Sequence, residues 1–110
     1  MSEPRATILI LVWNGKKYLE ACLDAVLAQD YANLSVIVVD NGSTDGSPKL
    51  VAAKYPEVRQ IRKDRNLGFA AGNNVGLQAI ADSPQGTGSD FVVLLNQDTV
   101  VHCGWLASLA

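Results

Sequence analysis

The sequence predicts an α/β fold: a Rossmann-like, mostly parallel open sheet with flanking helices. Three observations lead to this prediction. Apolar runs of strand length alternate with segments of helical periodicity, the connections between them are short, and polar clusters follow the apolar runs. Such alternation favours parallel strands joined by right-handed crossovers. The carboxyl ends of parallel strands meet at one edge of the sheet, where ligands bind in this class of fold.

The first strand and the first helix occupy the start of the chain. Residues 6–13 (ATILILVW) form a continuous apolar run, typical of a strand that is buried on both faces. Asn14 can cap the helix that follows. That helix carries one apolar stripe with the spacing of a helix packed against a core. Its members are Leu19, Cys22, Leu23, Val26 and Leu27.

The rest of the chain continues the alternation. Residues 34–39 (LSVIVV) predict a second buried strand, which ends in Asp40. Ser47 and Pro48 predict the N-cap and the first position of a second helix. The later elements are a weaker strand over 58–63, a small-residue helix over 69–81, a loop over 83–89, a strand over 91–95 and a helical pattern over 104–110.

Length and composition indicate a single globular domain over residues 1–110. The chain is 48% hydrophobic and 18% charged, which is typical of an ordered protein. A net charge of −2 provides no general attraction to nucleic acid or to an anionic membrane. No segment reaches the roughly 20 apolar residues of a membrane span. Cys22 and Cys103 lack metal-site spacing, so we expect structural cysteines and a cytoplasmic location.

Several polar residues have both an ordinary and a functional interpretation. Asp40 can accept hydrogen bonds from a base or a ribose, or it can close the turn that follows it. Asp45 is better explained as closing the turn over 43–47. The basic residues of the 59–65 segment fit a solvated strand end or a phosphate-facing surface. His102 fits a surface position or a metal or phosphate contact.

The segment over 66–74 (NLGFAAGNN) places glycines at positions 68, 72 and 76. This spacing is neither the dinucleotide fingerprint nor a phosphate-binding loop. Glycine at every fourth position lets a helix approach its neighbour closely, which is the simplest account of Gly76. Asn73 and Asn74 are costly inside a helix. One of them is therefore expected to meet a ligand or to hold the loop after Asp40.

Asn96-Gln97-Asp98 directly follows the last apolar run. This tripeptide offers one carboxylate and one amide oxygen, and Mg²⁺ and Mn²⁺ favour oxygen ligands while keeping positions open for phosphates. One protein carboxylate makes a weak metal site. We therefore expect a divalent metal and a diphosphate to bind together.

Four segments resemble a known family, and they run through the whole chain. They are ILVWNGKKYLEACLDAVLAQ, VIVVDNGSTDGS, NLGFAAGNNVGL and LLNQDTVVHCGWL. In order and spacing they are similar to glycosyltransferase family 2, whose GT-A fold enzymes move a sugar from a nucleotide diphosphate to an acceptor. The resemblance is greatest to the rhamnosyltransferase-like, cell-surface-glycan branch.

The resemblance implies roles for individual residues. Asp40 would bind the base or ribose, and Asn96-Gln97-Asp98 stands where the family has its Asp-x-Asp metal motif, with Asn96 replacing the first carboxylate. The backbone around Val12 and the loop near Asn66 would wall the pocket. The expected nucleotide-sugar-binding residues are Val12, Trp13, Asn14, Asp40, Asn41, Asn66, Gly68, Asn73, Asn96 and Gln97, with Asp98 and Asn96 holding Mn²⁺ or Mg²⁺.

The resemblance also implies parts that the chain does not contain. Family members normally continue into a second half with the acceptor groove and a general base, expected here beyond Ala110. We therefore expect the donor-binding part of an inverting enzyme that uses a UDP-linked or dTDP-linked sugar. The alternatives are a truncated nucleotide-binding module without transferase activity, and a fragment that binds no ligand.

An incomplete domain also has consequences for its partners. An uncovered sheet edge invites pairing, so we expect a twofold homodimer. Regions outside the chain would provide any peripheral association with the inner face of the membrane.

Overall fold

The computed structural model describes residues 5–29, 31–82, 91–101 and 104–106. The predicted loop over 83–89, His102, Cys103 and residues 107–110 of the last helical pattern lie outside the described residues. The strands are β1 (Ala6–Val12), β2 (Leu34–Asn41), β3 (Arg59–Lys63) and β4 (Phe91–Asn96), and the helices are α1 (Lys16–Leu27), α2 (Ser47–Lys54) and α3 (Phe69–Ala81). The α/β prediction is confirmed.

The four strands form one parallel sheet in the order β3-β2-β1-β4. The chain builds outward from β1 through β2 to β3, then returns across the sheet to place β4 on the other side of β1. The strand order therefore changes direction between β1 and β4. Open α/β sheets bind ligands at such a switch point, outside the carboxyl ends of the strands.

The two faces of the sheet are covered by different helices. Alternate residues of β1, such as Ile8 and Ile10, pack with α1 and α2 in the larger core, while Leu9 faces α3 with Val39 of β2. The α1 stripe is buried as predicted, apart from Leu27 at the end of the helix. No helix among the described residues has the length and hydrophobicity needed to span a membrane.

Glycines let α3 lie close to the sheet. A Cβ atom on Gly76 would collide with the Leu9 side chain and lie 3.0 Å from Cγ2 of Val39. A Cβ atom on Gly72 would lie 2.7 Å from Cδ1 of Leu11. Both distances are shorter than normal carbon contacts. The packing interpretation of Gly76 is confirmed.

The predicted cap of α1 is wrong. The N-cap is Gly15, with no side-chain cap hydrogen bond, and Asn14 adopts a left-handed conformation with φ of 48°. The Asn14 Oδ1 accepts a hydrogen bond from the Thr44 N–H at 2.8 Å instead. The N–H of Lys16, in the first turn of α1, donates to Asp45 Oδ2 at 2.9 Å. A residue distant in sequence thus replaces the local cap.

The start of α2 differs from the prediction by one residue. Ser47 is the first helical residue, and Gly46, with φ of 89°, is the N-cap. Asp45 Oδ1 accepts hydrogen bonds from both the N–H (3.0 Å) and the hydroxyl of Ser47. Asp45 therefore closes this turn, as the sequence predicts. Because Ser47 donates to Asp45, its hydroxyl does not serve as the cap.

Candidate functional site

An open cleft of about 350 Å³ lies at the carboxyl edge of the sheet, on the face that carries α3. Its size falls in the usual range of small-molecule sites. It lies at the switch point, since its walls come from the ends of β1, β2 and β4 and from the start of α3. The lining residues are Leu11, Trp13, Asn41, Asn66, Phe69, Asn73, Leu94, Leu95, Asn96, Gln97 and Asp98.

The end of β1 forms one wall of the cleft. The Trp13 side chain is 49% exposed there. Its backbone is held by the carboxamide of Gln97, whose Oε1 accepts from the Trp13 N–H at 3.0 Å and whose Nε2 donates to the Trp13 carbonyl at 3.2 Å. Trp13 thus presents an exposed aromatic surface on a fixed backbone, which suits stacking against a planar ligand.

The tripeptide after β4 forms a tight turn. The Thr99 N–H donates to the Asn96 carbonyl at 3.1 Å, which closes the turn over residues 96–99. Asn96 and Asp98 are both exposed and line the cleft. Two oxygen-bearing side chains, two residues apart, therefore border the same space.

The buried thiol of Cys22 lies beneath this turn. Its Sγ contacts the Asn96 carbonyl oxygen at 3.8 Å. Burial raises the pKa of Cys22 to about 11, the Thr99 hydrogen bond opposes that shift, and the Asp98 charge adds to it. The structural role predicted for Cys22 is consistent with this position, because a protonated and buried thiol is a poor nucleophile.

Asp40 is 2% exposed at the end of β2. Its Oδ2 accepts a hydrogen bond from the Ser43 N–H at 2.9 Å, so the carboxylate closes the turn that follows it. Its Oδ1 is buried and has no hydrogen-bond partner among the described residues. Buried polar atoms are normally paired, so this oxygen can still accept a hydrogen bond. Asp40 does not belong to the lining residues of the cleft.

Asn41 organises the loop before α3. Its Nδ2 donates to the Asn66 Oδ1 at 3.1 Å and to the Gly68 carbonyl at 3.2 Å, and its Oδ1 accepts from the Leu67 N–H at 2.9 Å. A Cβ atom on Gly42, where φ is 82°, would lie 2.5 Å from the Arg65 carbonyl carbon. The loops after β2 and β3 are therefore fitted closely against each other.

The first turns of α3 form the opposite wall. Asn73 is 6% exposed and lines the cleft, whereas Asn74 is exposed on the outside of the helix. The Asn73 side chain has no hydrogen bond to other described residues and does not hold the loop after Asp40, which bonds instead to Asn14 and Lys16. A helical asparagine that is costly by propensity thus faces the cleft with unused hydrogen-bonding groups.

Seven of the predicted site residues line the cleft, and four lie outside its lining. Val12 is buried in the core, Asn14 bonds to the loop after β2, and Asp40 lies under that loop. Gly68 is the N-cap of α3. None of the basic residues of the 59–65 segment is part of the lining. Their position on the edge strand β3 and after it agrees with a solvated strand end.

The sequence reading missed Phe69, which is 66% exposed in the cleft. Phe69 lies on the same helical stripe as Gly72 and Gly76, but one turn earlier, where α3 extends past the strand ends. An aromatic residue one turn before the packing glycines is the signal that could have identified it. Leu94 on β4 is 49% exposed and also lines the cleft, whereas the apolar run over 91–95 predicts only a strand.

The donor set of this site fits a hard divalent cation. Asp98 and Asn96 provide oxygen atoms at the cleft and leave room for ligand oxygens, as Mg²⁺ and Mn²⁺ require. Among the described residues, no group of three or more His, Cys, Asp or Glu side chains could hold a metal ion. A metal here would therefore depend on oxygen atoms of a bound ligand.

Comparison with known protein families identifies the family of this chain. The family model described as Glycosyl transferase family 2 matches residues 7–110. The chain belongs to this family. The resemblance found in the four sequence segments is confirmed, and the cleft lies within the matched part of this family 2 chain.

Curated relatives of this family 2 chain are considerably longer. It is 29% identical over 110 residues to the glycosyltransferase GlyA of Streptococcus pneumoniae. That alignment covers 97% of this chain and 15% of GlyA. It is 35% identical over 98 residues to the succinoglycan biosynthesis protein ExoO of Rhizobium meliloti, covering 88% of the chain and 26% of ExoO. The chain thus spans well under half the length of these relatives.

Solved structures confirm the GT-A fold. The mannosyltransferase PcManGT of Pyrobaculum calidifontis, solved with GDP-Man and Mn²⁺, is 28% identical with a TM-score of 0.75, over 91% of this chain and 29% of that one. S. aureus TarS (residues 1–349), solved with UDP, is 21% identical with a TM-score of 0.80, over 96% of this chain and 30% of that one. At 21% identity, the similarity to TarS shows a shared fold and nothing further about function.

Proposed function

We propose that this chain is the donor-binding part of an inverting glycosyltransferase, which moves a sugar from a nucleotide diphosphate to a glycan or lipid-linked acceptor. The cleft at the switch point carries this proposal. It brings together an exposed tryptophan, unpaired amide groups and a metal-compatible pair, Asn96 and Asp98, within one space of about 350 Å³. A nucleotide diphosphate needs these three features: a surface for the base, hydrogen bonds for the ribose and positive charge for the diphosphate.

Each part of the cleft has a role in this proposal. Trp13, with Phe69 on the facing wall, provides apolar surface for the base or the sugar. The free Oδ1 of Asp40 accepts a hydrogen bond from the base or ribose once the ligand reaches past the loop after β2. Asn73 donates or accepts on the α3 side. Asn14, Asn41 and Gln97 support the ligand chiefly through the loops that they hold in place.

Asp98 and Asn96 would hold Mn²⁺ or Mg²⁺ together with the diphosphate. Such a metal neutralises the charge that develops on the departing nucleotide diphosphate. The PcManGT structure contains GDP-Man and Mn²⁺, which supports this part of the proposal. The protein's own contribution is to fix the two oxygen donors on one turn, facing the ligand.

The acceptor and the location are part of the same proposal. Relatives include proteins named for succinoglycan biosynthesis and for teichoic acid poly(glycerol phosphate) polymerisation, which supports a cell-surface polysaccharide as the product. We place the reaction in the cytoplasm, at the inner face of the membrane. The buried, reduced thiol of Cys22 agrees with that compartment.

Calorimetric titration of the purified protein tests the proposal. UDP, dTDP and GDP are each titrated with and without Mn²⁺, on the wild-type protein and on Asp98→Ala, Asp40→Ala and Asp64→Ala. We expect one nucleotide to bind in a metal-dependent manner. Asp98→Ala should remove the metal dependence, and Asp40→Ala should weaken nucleotide binding at least tenfold. Asp64→Ala changes an exposed residue that is not part of the cleft lining and should change neither.

A folded wild-type protein that binds none of the three nucleotides would contradict the proposal. So would equal binding by the wild-type protein and Asp98→Ala in the presence of Mn²⁺. Circular dichroism of each variant separates loss of binding from loss of folding.

One observation favours a narrower activity for these residues alone. Asp98 is the only carboxylate among the described residues that line the cleft, and the proposal assigns it to the metal. No second carboxylate is available there to deprotonate an acceptor hydroxyl. Our second candidate is therefore a nucleotide-binding module that transfers no sugar by itself. Sugar transfer by this chain alone, measured with a radiolabelled donor, would contradict it.

A further inference from the structure

We propose that Gln97 is a positioning residue, which holds the metal-binding turn of the cleft in place by bonding to the backbone of Trp13. This inference rests on the proposed function and extends it to a residue that would not itself contact the metal. The geometry that supports it involves the end of the β1–β4 ladder, the glycine at position 15 and the closed turn over residues 96–99.

The Gln97 carboxamide continues the sheet beyond the point where its backbone ladder ends. The last paired residues of β1 and β4 are Leu11 and Asn96. One step further, the Gln97 side chain accepts from the Trp13 N–H and donates to the Trp13 carbonyl, at 3.0 and 3.2 Å. A carboxamide has the same donor and acceptor as a peptide group, so it substitutes for the next backbone pair.

Gly15 provides the space for this contact. A Cβ atom on Gly15 would overlap the Gln97 Oε1 and lie 2.5 Å from its Cδ. The backbone of Gly15, with φ of −101° and ψ of 15°, is open to any residue, so conformational freedom does not explain the glycine. The explanation is the neighbouring side chain. Gly15 and Gln97 are therefore a matched pair, on segments 82 positions apart in the sequence.

Fixing Gln97 also fixes its two neighbours. Asn96 and Asp98 line the cleft on either side of Gln97 in the same turn, which is closed by the Thr99 N–H bond to Asn96. Anchoring the middle residue to β1 leaves these side chains little freedom to rotate away from the cleft. Residues that orient metal ligands typically change metal affinity by about 10- to 100-fold when they are removed.

The experiment compares wild-type protein with Gln97→Met, Gly15→Ala and Gln78→Ala. Gln97→Met keeps the side-chain volume but removes both hydrogen bonds. Gly15→Ala keeps Gln97 but displaces its carboxamide. Gln78→Ala removes a glutamine on α3 and serves as the control; among the described residues its side chain bonds only to Asp82. Mn²⁺ affinity is measured by electron paramagnetic resonance with saturating UDP, dTDP or GDP, whichever the wild-type protein binds, and nucleotide affinity by calorimetry without metal.

We expect Gln97→Met and Gly15→Ala each to weaken Mn²⁺ binding at least tenfold, with less than a twofold change in metal-free nucleotide binding. Gln78→Ala should match the wild-type protein. A residue that only stabilises the fold would lower the melting temperature and leave the Mn²⁺ affinity of the folded protein unchanged. Should Gln97→Met fail to fold, Gly15→Ala provides the same measurement.

A double variant tests the matched pair directly. Adding Gly15→Ala to Gln97→Ala should cause no further loss of Mn²⁺ affinity, since the clashing side chain is gone. Unchanged Mn²⁺ affinity in folded Gln97→Met, or equal losses of metal and metal-free nucleotide binding, would overturn the inference. Wild-type protein that binds no Mn²⁺ with any of the three nucleotides would instead overturn the proposed function, and this inference with it.

Discussion

Asp45 joins the starts of α1 and α2 by accepting hydrogen bonds from the first residue of each helix. One carboxylate oxygen bonds to the Lys16 N–H, and the other bonds to Ser47. Partial burial of the carboxylate opposes its ionisation, yet the hydrogen bonds from Ser47 and Lys16 outweigh that effect and hold the pKa of Asp45 below its ordinary value. The ionised form is therefore the one that stabilises the fold.

This shift makes the contribution of Asp45 dependent on pH. A carboxyl group with a lowered pKa in the folded state stabilises fully above its unfolded pKa of 3.8, and the effect disappears as the pH falls through the folded value. We expect Asp45→Ala to lower the free energy of unfolding at pH 7 by about 1–2 kcal/mol. That difference should shrink as the pH falls below the unfolded pKa.

Urea unfolding at a series of pH values between neutral and strongly acidic conditions measures this difference. Asp64→Ala, which removes an exposed carboxylate, is the control and should show little change at any pH. A deficit for Asp45→Ala that stays constant down to the most acidic condition would show that the charge of Asp45 is not responsible.

At the scale of elements, the packing of α3 depends on the absence of side chains at two positions. Gly76→Ala gains up to about 1 kcal/mol in helix propensity. It also inserts a methyl group between Leu9 and Val39, and such overpacking costs about 1–3 kcal/mol. We expect a net destabilisation of about 1 kcal/mol, because both neighbouring side chains are buried and have little room to move.

Asn74→Ala is the matched control for Gly76→Ala. Asn74 is exposed on the same helix, so the substitution should stabilise the protein by a few tenths of a kcal/mol through propensity alone. Thermal unfolding of both variants provides the comparison. If Gly76→Ala also stabilised the protein, the prediction would be wrong, because α3 would then have room for a methyl group between itself and the sheet.

The elements themselves were predictable because each depends on local patterns. The α3 bounds were predicted without error, and the strand bounds were correct to within two residues. The cap of α1 was not predictable in this way. Asn14 has the right residue type at the right position, but its carboxamide bonds to Thr44, 30 positions away. A local pattern contains no information about such a tertiary competitor.

The location of the site was predictable because the carboxyl ends of parallel strands meet at one edge of the sheet. Alternating elements imply that Trp13, Asn66, Asn73 and Asp98 meet at one edge, and the structure brings them around one cleft. The sequence could not separate residues that face the cleft from residues that hold its loops. Asn41 and Gln97 line the cleft and also hold its loops, since Asn41 bonds to residues 66–68 and Gln97 bonds to the backbone of Trp13.

At the scale of the whole molecule, one edge of β4 has no partner strand within the described part of the chain. β4 pairs there only with β1, and its Leu94 side chain is 49% exposed. An open edge strand beside apolar side chains favours association with another chain. We therefore predict a twofold homodimer that buries β4.

Sedimentation equilibrium over a wide concentration range tests this prediction. Leu94→Lys should weaken the dimer at least tenfold, because it places a charge in the apolar contact. Leu77→Lys changes an exposed leucine on α3 and should leave the dimer intact. A wild-type protein that stays monomeric at the highest concentration would disprove the predicted dimer.

The hydrogen bonds between loops also limit how this fold can change in length. Surface loops usually tolerate insertions. Here the β2–α2 loop is tied to residues 14 and 16 through Ser43, Thr44 and Asp45. One additional residue in that loop would displace these three partners together. Tolerated insertions should instead fall at the opposite edge of the sheet, in the connection from α2 to β3, between its exposed residues Pro56 and Glu57.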